Sequence, residues 1–138
     1  MFLATYLAIP SSVKSIRELA FDGCYNLNDI TIESSDISIE RFAFNSSRVI
    51  KLHFNAFSIP DEMFMKCIYL IKISILSPVL VIGKRCFEDC NKLKEINLPS
   101  SLTTIEKYAF NNCSSLETIT IPPSVTLFVN ALSKIVHY

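Results

Sequence analysis

The chain is predicted to form an α/β repeat solenoid, with a parallel β-sheet along one side and short helices along the other. Three observations predict it. Phe21, Phe44, Phe64, Phe87 and Phe110 recur at steps of 23, 20, 23 and 23 residues. Ile16, Ile39, Ile59, Ile82 and Ile105 each stand five residues before one of these phenylalanines. Cys24, Cys67, Cys90 and Cys113 stand three residues after four of them, with Ser47 in that place once. Self-similarity at a fixed period of this size marks a solenoid, in which each unit buries its apolar side against its neighbours.

Within one unit, Ile119 and Ile121 alternate with Thr118 and Thr120, the period-two pattern of a short strand with one buried face. Equivalent strands are expected at Leu7–Ile9, Ile30–Ile32, Leu52–Phe54, Ile73–Ile75 and Ile96–Leu98, lying side by side and parallel. Pro10, Pro99 and Pro122 follow strands at one phase and turn the chain. Ile105, Ala109 and Cys113 are spaced i, i+4, i+8 with Phe110 beside them, which predicts a helical stripe of about two turns. The stripe recurs as Ile16, Ala20 and Cys24 and as Ile82, Cys86 and Cys90. So short a helix is held only by packing.

Residues 1–138 read as one domain of about five repeats, with a worn third unit and an incomplete terminal repeat. The second unit lacks one residue between Phe44 and Val49. The third lacks two between Leu52 and Phe64. Met1–Ile9 reads as the first strand rather than as a signal peptide, because Leu7 and Ile9 are in phase with Ile30 and Ile32. Met1 falls at the phase of Cys24, so the chain opens in mid-repeat. Phe128 keeps the isoleucine phase, after which the pattern dissolves into an apolar tail.

Half the residues are hydrophobic and 19% are charged, which argues against disorder. Thirteen basic residues balance thirteen acidic ones, so the electrostatic footprint of a nucleic-acid binder is missing. No apolar run reaches the roughly 18–20 residues of a membrane span. Zero formal charge gives little colloidal repulsion, and the open solenoid ends offer a route to self-association.

The run Ile9-Pro10-Ser11-Ser12-Val13 through Ile16, Ala20, Phe21, Cys24, Leu27, Ile30 and Ile32 resembles the leucine-rich repeats of BspA-like surface antigens. So do Leu98 to Ile121, and Ile82-Gly83 through Cys90, Leu93, Ile96 and Leu98. The resemblance runs from Leu7 to about Phe128. It implies a right-handed solenoid and a role in adhesion or protein binding, on cell surfaces of the kind where the family is found. The chain departs from the pattern at Ser47, at the two shortened units and at Ser34-Ser35-Asp36, where the proline turn is lost.

Four of the five cysteines share one phase, and Cys86 stands where other units have alanine. Helices side by side sit about 8–10 Å apart, beyond disulfide reach, so Cys24, Cys67, Cys90 and Cys113 are expected to be buried free thiols. The two histidines, His53 and His137, fall at different phases, which leaves no zinc ligand set. His53 occupies an outward strand position. The two glycines, Gly23 and Gly83, build no phosphate loop, and no catalytic constellation is apparent. Neither metal nor cofactor is expected. Asn45-Ser46-Ser47 and Asn112-Cys113-Ser114 match the glycosylation acceptor pattern, which matters only in a secreted eukaryotic protein.

The outward strand positions form two columns: Asp29, Lys51, Lys72, Glu95, Thr118 and Thr31, His53, Ser74, Asn97, Thr120. Opposite charges are expected to meet at Asp29–Lys51 and Lys72–Glu95. These residues are the candidate partner-binding face, although the columns lack the Tyr, Trp and Arg anchors of strong protein hot spots. The leading expectation is a non-enzymatic module that binds a protein or a host or matrix surface. The alternatives are a spacer within a longer array and an intracellular leucine-rich scaffold, the latter favoured by free thiols.

Overall fold

The computed structural model describes residues 5–76, 78–128 and 130. Among these residues eleven strands follow in order: β1 (Tyr6–Ile9), β2 (Ser15–Ile16), β3 (Asp29–Ile32), β4 (Ser38–Ile39), β5 (Lys51–Phe54), β6 (Ser58–Ile59), β7 (Lys72–Ile75), β8 (Val81–Ile82), β9 (Glu95–Asn97), β10 (Thr104–Ile105) and β11 (Leu127–Phe128). The odd strands up to β9 form one five-stranded sheet in the order β1-β3-β5-β7-β9, and every pairing is parallel. This agrees with the expected sheet for five of its six strands. At Ile119–Ile121 only Thr120 makes an isolated bridge. Ile30, Ile32, Leu52, Phe54, Ile73 and Ile75 point inward and are buried, as period-two alternation demands.

The expected helices do not form. No described residue is helical, and the phase isoleucines Ile16, Ile39, Ile59, Ile82 and Ile105 each end a two-residue strand on the second side of the coil. The segment from there to the cysteine is a chain of β-turns. In the fourth coil Cys86 N–H bonds Gly83 C=O, Glu88 bonds Arg85, Cys90 bonds Phe87 and Leu93 bonds Cys90, all with the i→i+3 span. The N–H groups between them, on Arg85, Phe87 and Asp89, donate to Lys107, Ala109 and Asn111 of the next coil. A helix would spend all these donors within the coil, whereas the turns spend three of the seven on binding coil to coil. The geometry requires left-handed residues two before and two after each phenylalanine. The first set is Leu19, Phe42, Glu62, Arg85 and Tyr108; the second is Gly23, Ser46, Lys66, Asp89 and Asn112.

The two shortened units deform the stack. Ile59 follows Phe54 by five residues, where the other coils have seven, as from Ile32 to Ile39. Strand β7 compensates by sliding: Lys51 pairs with Ser74 and Leu52 with Ile75, two residues beyond the register the phase predicts. A slip of two keeps every side chain on its own face, so the core tolerates it. On the second side the ladder breaks at the same place, into β2-β4 and β6-β8-β10-β11. Phe128 pairs with Ile105 through β11, as its phase predicts.

The proline turns form as expected, with Val13 N–H donating to Pro10 C=O at 3.0 Å, Leu102 to Pro99 at 3.1 Å and Val125 to Pro122 at 3.0 Å. Where the proline is lost, Ser34 Oγ donates to Asp36 Oδ1 at 2.8 Å and Lys14 Nζ lies 3.1 Å from the same oxygen. These two contacts, Ser34 first, hold the Asp36 carboxyl below its ordinary pKa. The apolar tail from residue 131 onward, with His137, lies outside the described residues.

Between the sheets the phenylalanines form a continuous stack. Ring centroids are 5.0 Å apart for Phe21–Phe44, 5.4 Å for Phe44–Phe64, 5.2 Å for Phe64–Phe87 and 5.4 Å for Phe87–Phe110. These are the offset-stacking distances that aromatic pairs prefer. Phe110 fills the space inside the coil, whose outer wall is made of turns rather than a helix.

Candidate binding face and thiol column

The thiols are free, yet helix spacing is not what keeps them apart. Hydrogen-bonded coils stack at strand spacing, about 4.8 Å. Side chains in register then keep their Cβ atoms about that far apart, beyond the ~3.8 Å a disulfide prefers. Three of the five thiols also have a task. Cys67 Sγ donates to Phe44 C=O at 3.0 Å, Cys90 to Phe64 at 3.1 Å and Cys113 to Phe87 at 3.1 Å, so sulfur bridges each coil to the one before. Burial pushes the Cys86, Cys90 and Cys113 thiols well above the ordinary range. Cys24 departs from expectation: it is half-buried, since no described coil covers its outer side.

A thiol-reactive dye should therefore titrate Cys24 quickly in the native chain and the other four only on denaturation. The raised folded-state pKa values also fix a sign. The contribution of these thiols is present below their unfolded pKa of about 8.5 and declines as pH rises above it, because the unfolded chain releases protons that the folded one retains. Urea midpoints measured from neutral to alkaline pH should fall across that window.

Ser47 tests the sulfur bridge directly. Its hydroxyl is buried without a hydrogen-bond partner. The C–O bond is shorter than C–S, and no bond forms from Ser47 to the preceding coil. Ser47→Cys is expected to raise the unfolding free energy by about 1–2 kcal/mol, by restoring the bridge and removing an orphaned polar group. An unchanged urea midpoint would contradict this.

The candidate face lies on the five-stranded sheet. Asp29 pairs with Lys51, Thr31 with His53, Lys72 with Glu95 and Ser74 with Asn97. Asn97 Nδ2 donates to Ser74 Oγ at 2.9 Å. The slip at β7 divides each expected column, because Lys51 stands beside Ser74 instead of Lys72. The charge pairing is also different. Among the described residues neither Asp29–Lys51 nor Lys72–Glu95 forms an ion pair. Asp29 Oδ1 instead stands 3.7 Å from His53 Nε2, too long for a hydrogen bond, and is buried without one. Thr118 and Thr120 are exposed beyond the last long strand.

The anchors missing from the columns stand at the end of the sheet where the strands begin. Tyr25 and Tyr69 meet edge to face there, with centroids 5.6 Å apart, and Arg48 and Lys72 line the same hollow. Tyr25, Arg48 and Tyr69 precede the strands, outside the alternation that marks the sheet face. A signal was present: Tyr25 and Arg48 share the position four residues after a phase phenylalanine.

Among the described residues no group of three His, Cys, Asp or Glu is placed to hold a metal, and no helix is long and apolar enough to cross a membrane. A leucine-rich repeat is the class of protein that the coils and their phase define. The BspA type leucine rich repeat region matches in six copies over residues 3–59 and 57–133, and the chain belongs to that family. Curated proteins yield no match. Among solved structures, a leucine-rich repeat protein from Eubacterium ventriosum is similar at 26% identity and a TM-score of 0.65, over 96% of this chain and 44% of that one. The leucine rich repeat protein of T. pallidum is similar at 21% identity and a TM-score of 0.61, over 98% of this chain and 73% of that one. A leucine rich cell surface protein from Faecalibacterium prausnitzii aligns at 21% identity and a TM-score of 0.55, over 92% of this chain and 50% of that one. The chain thus spans half or less of two of these three proteins. Family and fold are those of scaffolds that are typically non-enzymatic.

Proposed function

We propose that residues 1–138 form a single repeat domain that binds a protein partner or matrix surface through the five-stranded sheet. The supporting observation is the sheet itself: a continuous parallel platform whose outward residues Thr31, Lys51, His53, Lys72, Ser74, Glu95 and Asn97 have no core duty. Curved repeat surfaces are commonly used in this way. One structural neighbour carries the description of a cell surface protein, which fits adhesion. A second reading, an intracellular scaffold, is favoured by the five free thiols.

The test is surface plasmon resonance against a panel of immobilised extracellular-matrix proteins. At least one is expected to bind saturably, and Lys51→Ala with Glu95→Ala should weaken it about tenfold, or about 1.4 kcal/mol, with an unchanged melting curve. Absence of any saturable binder contradicts the adhesion reading. Binding that survives this pair but is lost with Lys84→Ala and Lys107→Ala places the partner on the opposite arc.

A further inference from the structure

The shortened second coil leaves a cleft. Val49 follows Phe44 by five residues, whereas Leu27 follows Phe21 and Leu70 follows Phe64 by six. The second coil therefore recedes between its neighbours. Tyr25 of the first coil and Tyr69 of the third reach each other over the gap, centroids 5.6 Å apart at 83°. The hollow is about 340 Å³, within the range of small-ligand sites, and Arg48, Ile50, Asn28 and Lys72 line it with the two tyrosines. The slip of β7 supplies the second cation: with Lys51 level with Ser74, Lys72 falls level with Val49, beside Arg48. Lys92 adds a third, its Nζ 5.2 Å from the Tyr69 ring centroid. The two deviations that look like wear in the repeat thus build one site together.

Its charge is one-sided. On the turn side of the coils four cations meet carboxylates, Lys14 with Asp36, Arg17 with Glu40, Arg41 with Glu18 and Arg85 with Glu88, while Lys66, Lys84 and Lys107 enter no ion pair among the described residues. Among the described residues Arg48, Lys72 and Lys92 enter no ion pair, and no carboxylate lines the cleft. Arg48 and Lys72 thus meet at one concave place whose lining holds no carboxylate. Arginine offers a planar fork that accepts a carboxylate bidentately, and Tyr and Arg are the side chains that most often anchor protein interfaces.

We infer that the cleft lined by Tyr25, Arg48, Tyr69 and Lys72 binds an acidic peptide segment, one carboxylate seated on Arg48 and the chain laid along the tyrosine pair. This rests on the binding-module reading and names the partner's chemistry. The probe is a fluorescein-labelled oligoglutamate peptide, followed by anisotropy against the folded chain at low and high salt. Saturable, salt-sensitive binding is expected, weakened at least tenfold by Arg48→Ala and by Tyr69→Ala. An asparagine inserted between Arg48 and Val49 restores the common spacing and should fill the cleft, abolishing binding while far-UV circular dichroism stays the same. If Arg48→Ala does not fold, Arg48→Gln serves in its place. Lys51→Ala with Glu95→Ala leaves this binding intact, which separates its failure from failure of the sheet-face reading. Absence of saturable binding overturns the inference, and so does equal loss in a Lys84→Ala, Lys107→Ala variant. Tighter binding of polygalacturonate through Arg48 also overturns it, and assigns the cleft to a carboxylated glycan.

Discussion

Phe87→Ala is expected to lower the unfolding free energy by about 3–5 kcal/mol, the usual loss for a fully buried phenylalanine. Phe87 is 0% exposed and stacks on both Phe64 and Phe110 at an interplanar angle of 4°. Its N–H also bonds Ala109 C=O, so the ring and the backbone ladder depend on one position. In a solenoid, stability is close to a sum of unit and nearest-neighbour terms. The third and fifth coils should loosen with the fourth, and the first should barely change. Urea denaturation measures the total, and native-state hydrogen exchange gives its distribution. Phe21→Ala should cost less, because Phe21 is half-buried and stacks on one side only among the described rings.

Gly83→Ala is expected to cost about 3 kcal/mol or more, combining overpacking of about 1–3 kcal/mol with strained hydrogen bonds worth about 1 kcal/mol each. A Cβ at Gly83 meets Asp61 Oδ1 at 2.6 Å, Asp61 N at 2.7 Å and Ile59 O at 2.7 Å. Two of these are backbone atoms, so no rotamer change relieves the clash. Separating the coils would stretch Gly83 N–H to Ile59 C=O, now 2.9 Å, and Lys84 N–H to Asp61 Oδ1, now 2.7 Å. Gly23→Ala is the contrast. The nearest atom to its Cβ would be 3.8 Å away, and the strain comes only from its φ of +70°, roughly 1–2 kcal/mol. A thermal melt in which the Gly23 variant is the less stable would contradict this ranking.

The sheet was legible because alternation at Ile30–Ile32 or Ile73–Ile75 encodes burial directly, and a shared phase encodes neighbours. The turns were misread as helix for a physical reason. Ile105, Ala109 and Cys113 lie on one stripe in a helix, and the observed turns bury the same residues. Periodicity cannot separate the two when the segment is two turns long. The separating signal lay in the residues between, where Gly23, Asp89 and Asn112 occupy one left-handed phase that suits such residues. Leu19, Phe42, Glu62, Arg85 and Tyr108 occupy the other, and nothing in their chemistry announces it. The missing residues near Ser47 and Phe57 were also visible, but their outcome was not. Whether a shortened coil tightens its turn or slides its strand depends on which ladder yields, and here β7 slid. That slide split the predicted columns and carried Lys72 toward Arg48.

The sheet face and the cleft both depend on the coil being strand, turn, strand and turn, so the backbone of the phenylalanine arc is the decisive quantity. Backbone chemical shifts and couplings from a solution NMR assignment read it directly. Positive φ is expected at Arg85, Asp89, Tyr108 and Asn112, with no contiguous helical shifts from Ile105 to Cys113 and slow exchange for the Phe87 amide bonded to Ala109 C=O. An unbroken run of helical shifts over Ile105–Cys113, with negative φ at Tyr108 and Asn112, would contradict it.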